Sequence, residues 1–132
     1  MYNDIVGDRG GANVALQFFS NRPLFDQLAE KMIISIVSRE YPEEKPFPDV
    51  LQISSELAVN PNTVRRVLEY LASEKLLVCG ENGLWYPSSD LLLLEAFRRK
   101  VAQRSVQEFL TSMRTLSYTP EEAAEMIREV TV

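Results

Sequence analysis

The tightest constraint in this chain is the short interval between two helix starts. Asp49, with Gln52 three residues on, is an N-cap signal for a helix running to about Leu57. Asn60 followed by Pro61 is the next start signal, and only Ala58 and Val59 intervene. Two short helices joined that closely cannot lie antiparallel; they must cross steeply, as the helices of a helix-turn-helix do. The spacing predicts that the second of them buries Val64, Val67, Leu68 and Leu71. It turns Asn62, Arg65, Arg66 and Glu69 outward.

The flanking sequence builds a small domain around this pair. Pro23 sits where a helix starts, and Leu24, Leu28, Met32 or Ile33, and Ile36 recur at three- and four-residue spacing. Tyr41-Pro42 ends that helix, and Pro42, Pro46 and Pro48 keep the next segment extended. Ile53 and Leu57 are the core residues expected of the second helix. Beyond Lys75 the period changes: Leu76–Cys79 and Leu84–Tyr86 read as short strands around Gly80-Glu81-Asn82-Gly83. Asn82-Gly83 predicts a two-residue hairpin turn with positive φ at both positions. A hairpin directly behind a helix-turn-helix is a wing that covers the three-helix core. Trp85 is expected to supply much of that cover, and Cys79 to be a small buried apolar residue.

Pro87-Ser88-Ser89-Asp90 marks a boundary, with Ser89 or Asp90 capping a long helix that extends to about Leu116. Leu94, Phe97 and Val101 form one stripe. Ala102, Val106, Phe109, Met113 and Leu116 continue as the seam of a packed helix pair. The Leu91–Leu94 run reads as core or interface, and Arg98, Arg99, Lys100 and Arg104 as a solvated or inter-subunit face. Thr119-Pro120-Glu121-Glu122 is a capping box for a last helix, stapled by Tyr118 and Ala123 and with Met126, Ile127 and Val130 on its apolar face. The fold class is thus mainly α with a small β-hairpin: an arm (1–22), a winged helix-turn-helix (23–90) and a two-helix C-terminal extension (91–132).

Composition removes several function classes. At 132 residues there is room for one compact domain and a short extension. A single cysteine and no histidine leave no disulfide framework and no ligands for an ordinary zinc site. Without histidine the usual general base is missing, and no Gly-rich phosphate loop follows a strand. The expectation is no catalytic residue, no cofactor and no metal: not an enzyme. No leader opens the sequence and the longest apolar run is four leucines, which points to a cytoplasmic protein with no membrane contact. Charge argues the other way on nucleic acid. The net charge is −5, and residues 23–90 hold six Lys or Arg against eleven Asp or Glu.

The stretch from Phe47-Pro48 through Asn60-Pro61-Asn62-Thr63-Val64-Arg65-Arg66 to Leu71 resembles the N-terminal domain of the GntR superfamily. Arg22-Pro23-Leu24-Phe25-Asp26-Gln27-Leu28 resembles that family's first-helix opening. The long helix, the Leu116–Glu122 turn and the short last helix resemble the YtrA-type branch. The resemblance implies a transcription regulator, a repressor above all. It implies a homodimer joined through its C-terminal helices, with two recognition helices offered to a palindromic operator in duplex DNA, and a transporter operon as the regulated unit.

A helix N-terminus in the major groove presents free N–H groups and partial positive charge. Asn60, Pro61, Asn62 and Thr63 sit there, and both asparagines can donate to phosphate or pair with adenine. Arg65, one turn deeper, is the candidate for reading guanine, and the resemblance places a DNA-contacting Arg at this position. Arg66 reaches the backbone, and Gly83 lies at the wing tip. Asn60 and Thr63 also have plain roles in closing the helix start. Relatives carry a phosphate-contacting Arg where this chain has Leu51, and basic residues at the wing where it has Glu81. The alternative is therefore a degenerate winged helix kept as a protein-interaction or dimerisation module. Two C-terminal helices enclose too little volume for an ordinary effector pocket, which leaves the space between subunits or between domains for any small effector, of unknown identity.

Overall fold

The computed structural model describes residues 22–131. The N-terminal arm, with the expected packing of Leu16–Phe19, lies outside the described residues apart from Arg22. Five helices and one hairpin follow in order. They are α1 (Leu24–Val37), α2 (Val50–Leu57), α3 (Pro61–Ser73), β1 (Leu77–Cys79), β2 (Trp85–Pro87), α4 (Leu91–Thr115) and α5 (Pro120–Thr131). The chain divides into two compact units, one ending at Phe97 and the other beginning at Arg98.

In the first unit α3 is the central element, packed on α1, α2 and β1. Leu28 and Ile36 of α1, Val64, Val67 and Leu71 of α3, and Leu76 are the most deeply buried large side chains. This is the expected three-helix core, with adjustments. Leu24 is exposed, whereas Gln27 is buried and its Nε2 donates to the Arg22 carbonyl at 2.8 Å. An amide can enter the core there because the first turn of a helix leaves its polar partners close at hand. Leu68 and Leu57 are only half-buried, while Val59, in the turn between α2 and α3, is buried.

Local signals place the helix ends. Asp49 Oδ1 accepts from the Gln52 N–H at 2.8 Å and opens α2. Ala58 takes a left-handed conformation (φ 56°), and Ser54 locks the turn: its hydroxyl donates to the Val59 carbonyl at 2.6 Å. Asn60 Oδ1 accepts from the Asn62 N–H at 2.7 Å, with Pro61 in the first turn of α3. At the other end of α3 the Lys75 N–H donates to Ala72 and the Leu76 N–H to Leu71, with Lys75 at φ 68°. That pair of bonds is a Schellman ending, in which a left-handed residue turns the chain out of the helix.

The hairpin pairs Leu77 with Pro87, Val78 with Tyr86 and Cys79 with Trp85. Its loop differs from the expected two-residue turn. Gly80 N–H donates to the Leu84 carbonyl and Gly83 N–H to the Gly80 carbonyl, so a three-residue loop, 81–83, is closed by the Gly80–Leu84 pair. Gly83 has φ 85°, but Asn82 is not among the positive-φ residues. A β-turn followed by a left-handed glycine gives the strands the same twist as the shorter turn, and one glycine is enough for it. Asn82 is used differently: Oδ1 accepts from the Leu84 N–H at 3.0 Å and Nδ2 donates to the Tyr86 hydroxyl at 2.8 Å. Gly80 is required by closeness, since a Cβ there would lie 2.8 Å from the Tyr86 ring. Two further expectations are corrected. Trp85 is 45% exposed and Cys79 is exposed: they pair with each other on the same face as Leu77 and Pro87, but one step nearer the hairpin loop, where burial falls away. The buried pair is Leu77 and Pro87.

Asp90 caps α4, accepting from the Leu93 N–H at 3.2 Å. Leu94 is buried, Leu93 half-buried, and Leu91 and Leu92 exposed. In the second unit the Thr119–Glu122 capping box is formed in both directions, at 2.9 and 3.1 Å. Met113 and Ala123 are buried there, but Val106, Phe109, Leu116, Met126, Ile127 and Val130 are exposed. The expected seam of α4 is therefore mostly uncovered, since one short partner helix cannot hide a stripe of this length.

Candidate nucleic-acid interface

The first turn of α3 gathers most of the sequence-predicted site. Asn60, Pro61, Asn62, Arg65 and Arg66 are exposed and Thr63 is half-buried. The Asn60 side chain is spent on capping. Asn62 Oδ1 accepts a 2.6 Å hydrogen bond from Arg65 Nη1. That contact draws the guanidinium back over the helix start, where the free N–H groups and the positive end of the helix dipole also lie. Four polar side chains and an open helix terminus thus occupy one surface.

Arg66 is placed differently. Its guanidinium carbon stands 4.9 Å from the centre of the Phe25 ring, a cation–π contact that ties α3 to α1. Phe25 also meets the Tyr70 ring edge-on at 6.0 Å. Arg66 therefore has a packing role on the side of α3 next to α1. Burial, followed by the nearby Glu74 charge, raises the Tyr70 phenol above its ordinary value.

Gly83, at the hairpin loop, and Arg65 line one cavity of about 500 Å3. The Phe47 N–H donates to the Trp85 carbonyl at 2.7 Å, which fastens the segment before α2 to the hairpin. Sequence reasoning missed the rest of this cavity, including Leu84 and the exposed side of Trp85. The available signal was the place of Leu84 and Trp85 next to the hairpin loop, where a two-stranded ribbon runs past its cover. Leu51, on α2, is 73% exposed. Glu81 is exposed in the hairpin loop. Among the described residues no group of three or more Asp, Glu, Cys or His is assembled to hold a metal, and no helix is long and apolar enough to cross a membrane.

A short helix joined by a tight turn to a second with an exposed polar start, and a hairpin behind the pair, form a winged helix-turn-helix. Residues 24–83 match the family described as bacterial regulatory proteins, gntR family. Over these residues the chain is similar to that family. The relatives extend the likeness beyond that segment. The uncharacterized HTH-type transcriptional regulator YhcF of Bacillus subtilis (strain 168) is 23% identical over 115 residues, covering 87% of this chain and 95% of that protein. A GntR family transcriptional regulator from Listeria monocytogenes superposes with a TM-score of 0.72 at 20% identity, over 85% of this chain and 98% of the other. YtrA from Sulfolobus acidocaldarius, a GntR-family transcription factor, gives 0.52 at 20% identity, over 89% and 96%. These two solved structures share the fold of this chain over most of its length. The gntR family consists of transcription regulators and not of enzymes, in line with the sequence expectation.

Proposed function

We propose that this chain is a gntR-family transcription regulator, a sequence-specific repressor of the YtrA type that acts in the cytoplasm as a homodimer on a palindromic operator. In this reading residues 23–90 read DNA and residues 91–132 dimerise. Asn60, Pro61, Asn62, Thr63 and Arg65 meet the major groove, Arg66 lies beside the backbone and Gly83 lets the wing approach. The observation that carries the reading is the open first turn of α3, with the Asn62–Arg65 pair poised over it. An Arg held in this way offers guanine the two donors it needs. The dimer is supported by the uncovered apolar stripe of Val106, Phe109, Leu116, Met126, Ile127 and Val130. A second subunit would bury it, and a two-fold axis would present two recognition helices about one DNA turn apart. A transporter operon is the regulated unit that the family resemblance favours.

Selection of bound duplexes from a random pool tests this reading. Enrichment of a two-fold symmetric site is the expected result. Failure to enrich any sequence, with a folded dimer by sedimentation, would favour the second reading, a winged helix retained for protein interaction. Leu51 and Glu81, standing where relatives place basic residues, favour that second reading.

A further inference from the structure

We propose that the winged unit itself carries a binding site for a lipophilic organic cation, in the cavity between α3 and the hairpin. A volume of about 500 Å3 falls within the range of small-molecule pockets. Most of its wall is apolar: Phe47 and Pro48 before α2, Leu68 and Ala72 on α3, and Leu84 and Trp85 on the hairpin. An apolar hollow on the face that carries Arg65 gains nothing from phosphate, which is a poor partner for such a surface.

The charged groups on the wall decide the sign of the ligand. They are Asp49, Arg65 and Glu69, two carboxylates against one guanidinium. Arg65 is engaged by Asn62, and Asp49 caps α2 with one oxygen. Glu69 lies one turn beyond Arg65, yet no ion pair joins the two, and among the described residues none is formed by Glu69. The cavity therefore has an excess negative charge and one unengaged carboxylate beside apolar walls. Trp85 adds an aromatic ring whose face attracts cations. A flat or globular organic cation with aromatic substituents satisfies all three features at once. An extended peptide fits less well, because a hollow of about 500 Å3 has the size that holds a small organic ion.

Occupancy has a direct consequence that rests on the proposed DNA reading. Arg65 and Gly83 are part of the wall, so a ligand seated there stands where DNA must approach, and the two compete. Cation binding itself does not depend on that reading.

Trp85 is the only tryptophan in the chain, so its emission reports on this cavity alone. The full chain should be titrated with tetraphenylphosphonium and with tetraphenylborate, ions of nearly equal size and apolarity but opposite charge. The expected result is a saturable change in emission, with the phosphonium bound about tenfold or more tightly than the borate. Glu69→Gln, an exposed substitution on a helix, should remove most of that preference while leaving the circular dichroism unchanged. No saturable change, equal affinity for the two ions, or a Glu69→Gln variant with undiminished preference would overturn the proposal. So would binding of a basic amphipathic peptide without binding of the phosphonium, which assigns the cavity to a protein partner. Displacement of selected duplex DNA in step with phosphonium occupancy supports the competition. Phosphonium binding in a chain that binds no DNA supports the site and counts against the proposed function alone.

Discussion

The Asn62 side-chain oxygen accepts a 2.6 Å hydrogen bond from Arg65 Nη1, so the guanidinium is held over the first turn of α3. Both residues are exposed, so the contact adds little to folding. Its value lies in orientation: a planar guanidinium that is already aimed loses less rotamer freedom on meeting a base. Asn62→Ala should therefore leave the melting temperature nearly unchanged. It should weaken binding to selected DNA by about 1–2 kcal/mol and to scrambled DNA by much less. Fluorescence anisotropy with the two duplexes checks both halves.

The acidic surface sets the salt response. Leu51 is exposed and its replacement carries no core penalty. Leu51→Arg should add one phosphate contact, steepening the plot of log affinity against log salt by about 0.9. Combined with Glu81→Lys the gain should approach double. An unchanged slope would mean that α2 does not approach the backbone.

Lys75 ends α3 with φ 68°, a conformation that costs a side-chain-bearing residue roughly 1–2 kcal/mol. Lys75→Gly relieves this, at the cost of a more flexible unfolded chain. The net expectation is a gain of about 0.5–1 kcal/mol in chemical denaturation. DNA affinity should not change.

Burial, reinforced by Glu40 and Glu56, raises the Tyr41 phenol, and burial with Glu74 raises Tyr70. The folded state thus favours the neutral phenol. Stability from this source is complete below the ordinary tyrosine value of 10.0. It is lost as pH rises from there through the raised folded values, because the unfolded chain releases its protons first. Melting temperature should fall above about pH 10, and Tyr41→Phe with Tyr70→Phe should flatten that decline. Tyr41 packs edge-on against Phe47 at 4.8 Å, a contact that phenylalanine keeps.

The helices were legible because each carries its own boundary chemistry. Asp49, Asn60-Pro61 and the Thr119–Glu122 box act within a few residues, and all three form as the pattern implies. The outward set of α3 was equally readable, since 3.6-residue periodicity separates Val64, Val67 and Leu71 from Asn62, Arg65 and Glu69. What the sequence hid depends on contacts between distant residues. Arg66 looked like a free basic residue, but Phe25, forty-one positions earlier, takes it. Trp85 looked like core by size, yet it sits next to the hairpin loop, one step beyond the buried Leu77–Pro87 pair, and stays half exposed. Asn82-Gly83 suited two hairpin loops, and the bonds of Asn82 to Leu84 and Tyr86 belong to the longer one. The cavity beside Arg65 is assembled from four separate stretches and has no signature in any of them.

The central claim is that the start of α3 reads a specific base sequence through Arg65. Binding of the intact chain and of Arg65→Ala to a selected symmetric duplex and to its scrambled counterpart, at low and physiological salt, tests it most directly. The account predicts that Arg65→Ala abolishes the preference for the selected duplex, costing about 1–3 kcal/mol per half-site, with fold and dimer intact. A preference that survives Arg65→Ala undiminished would contradict it.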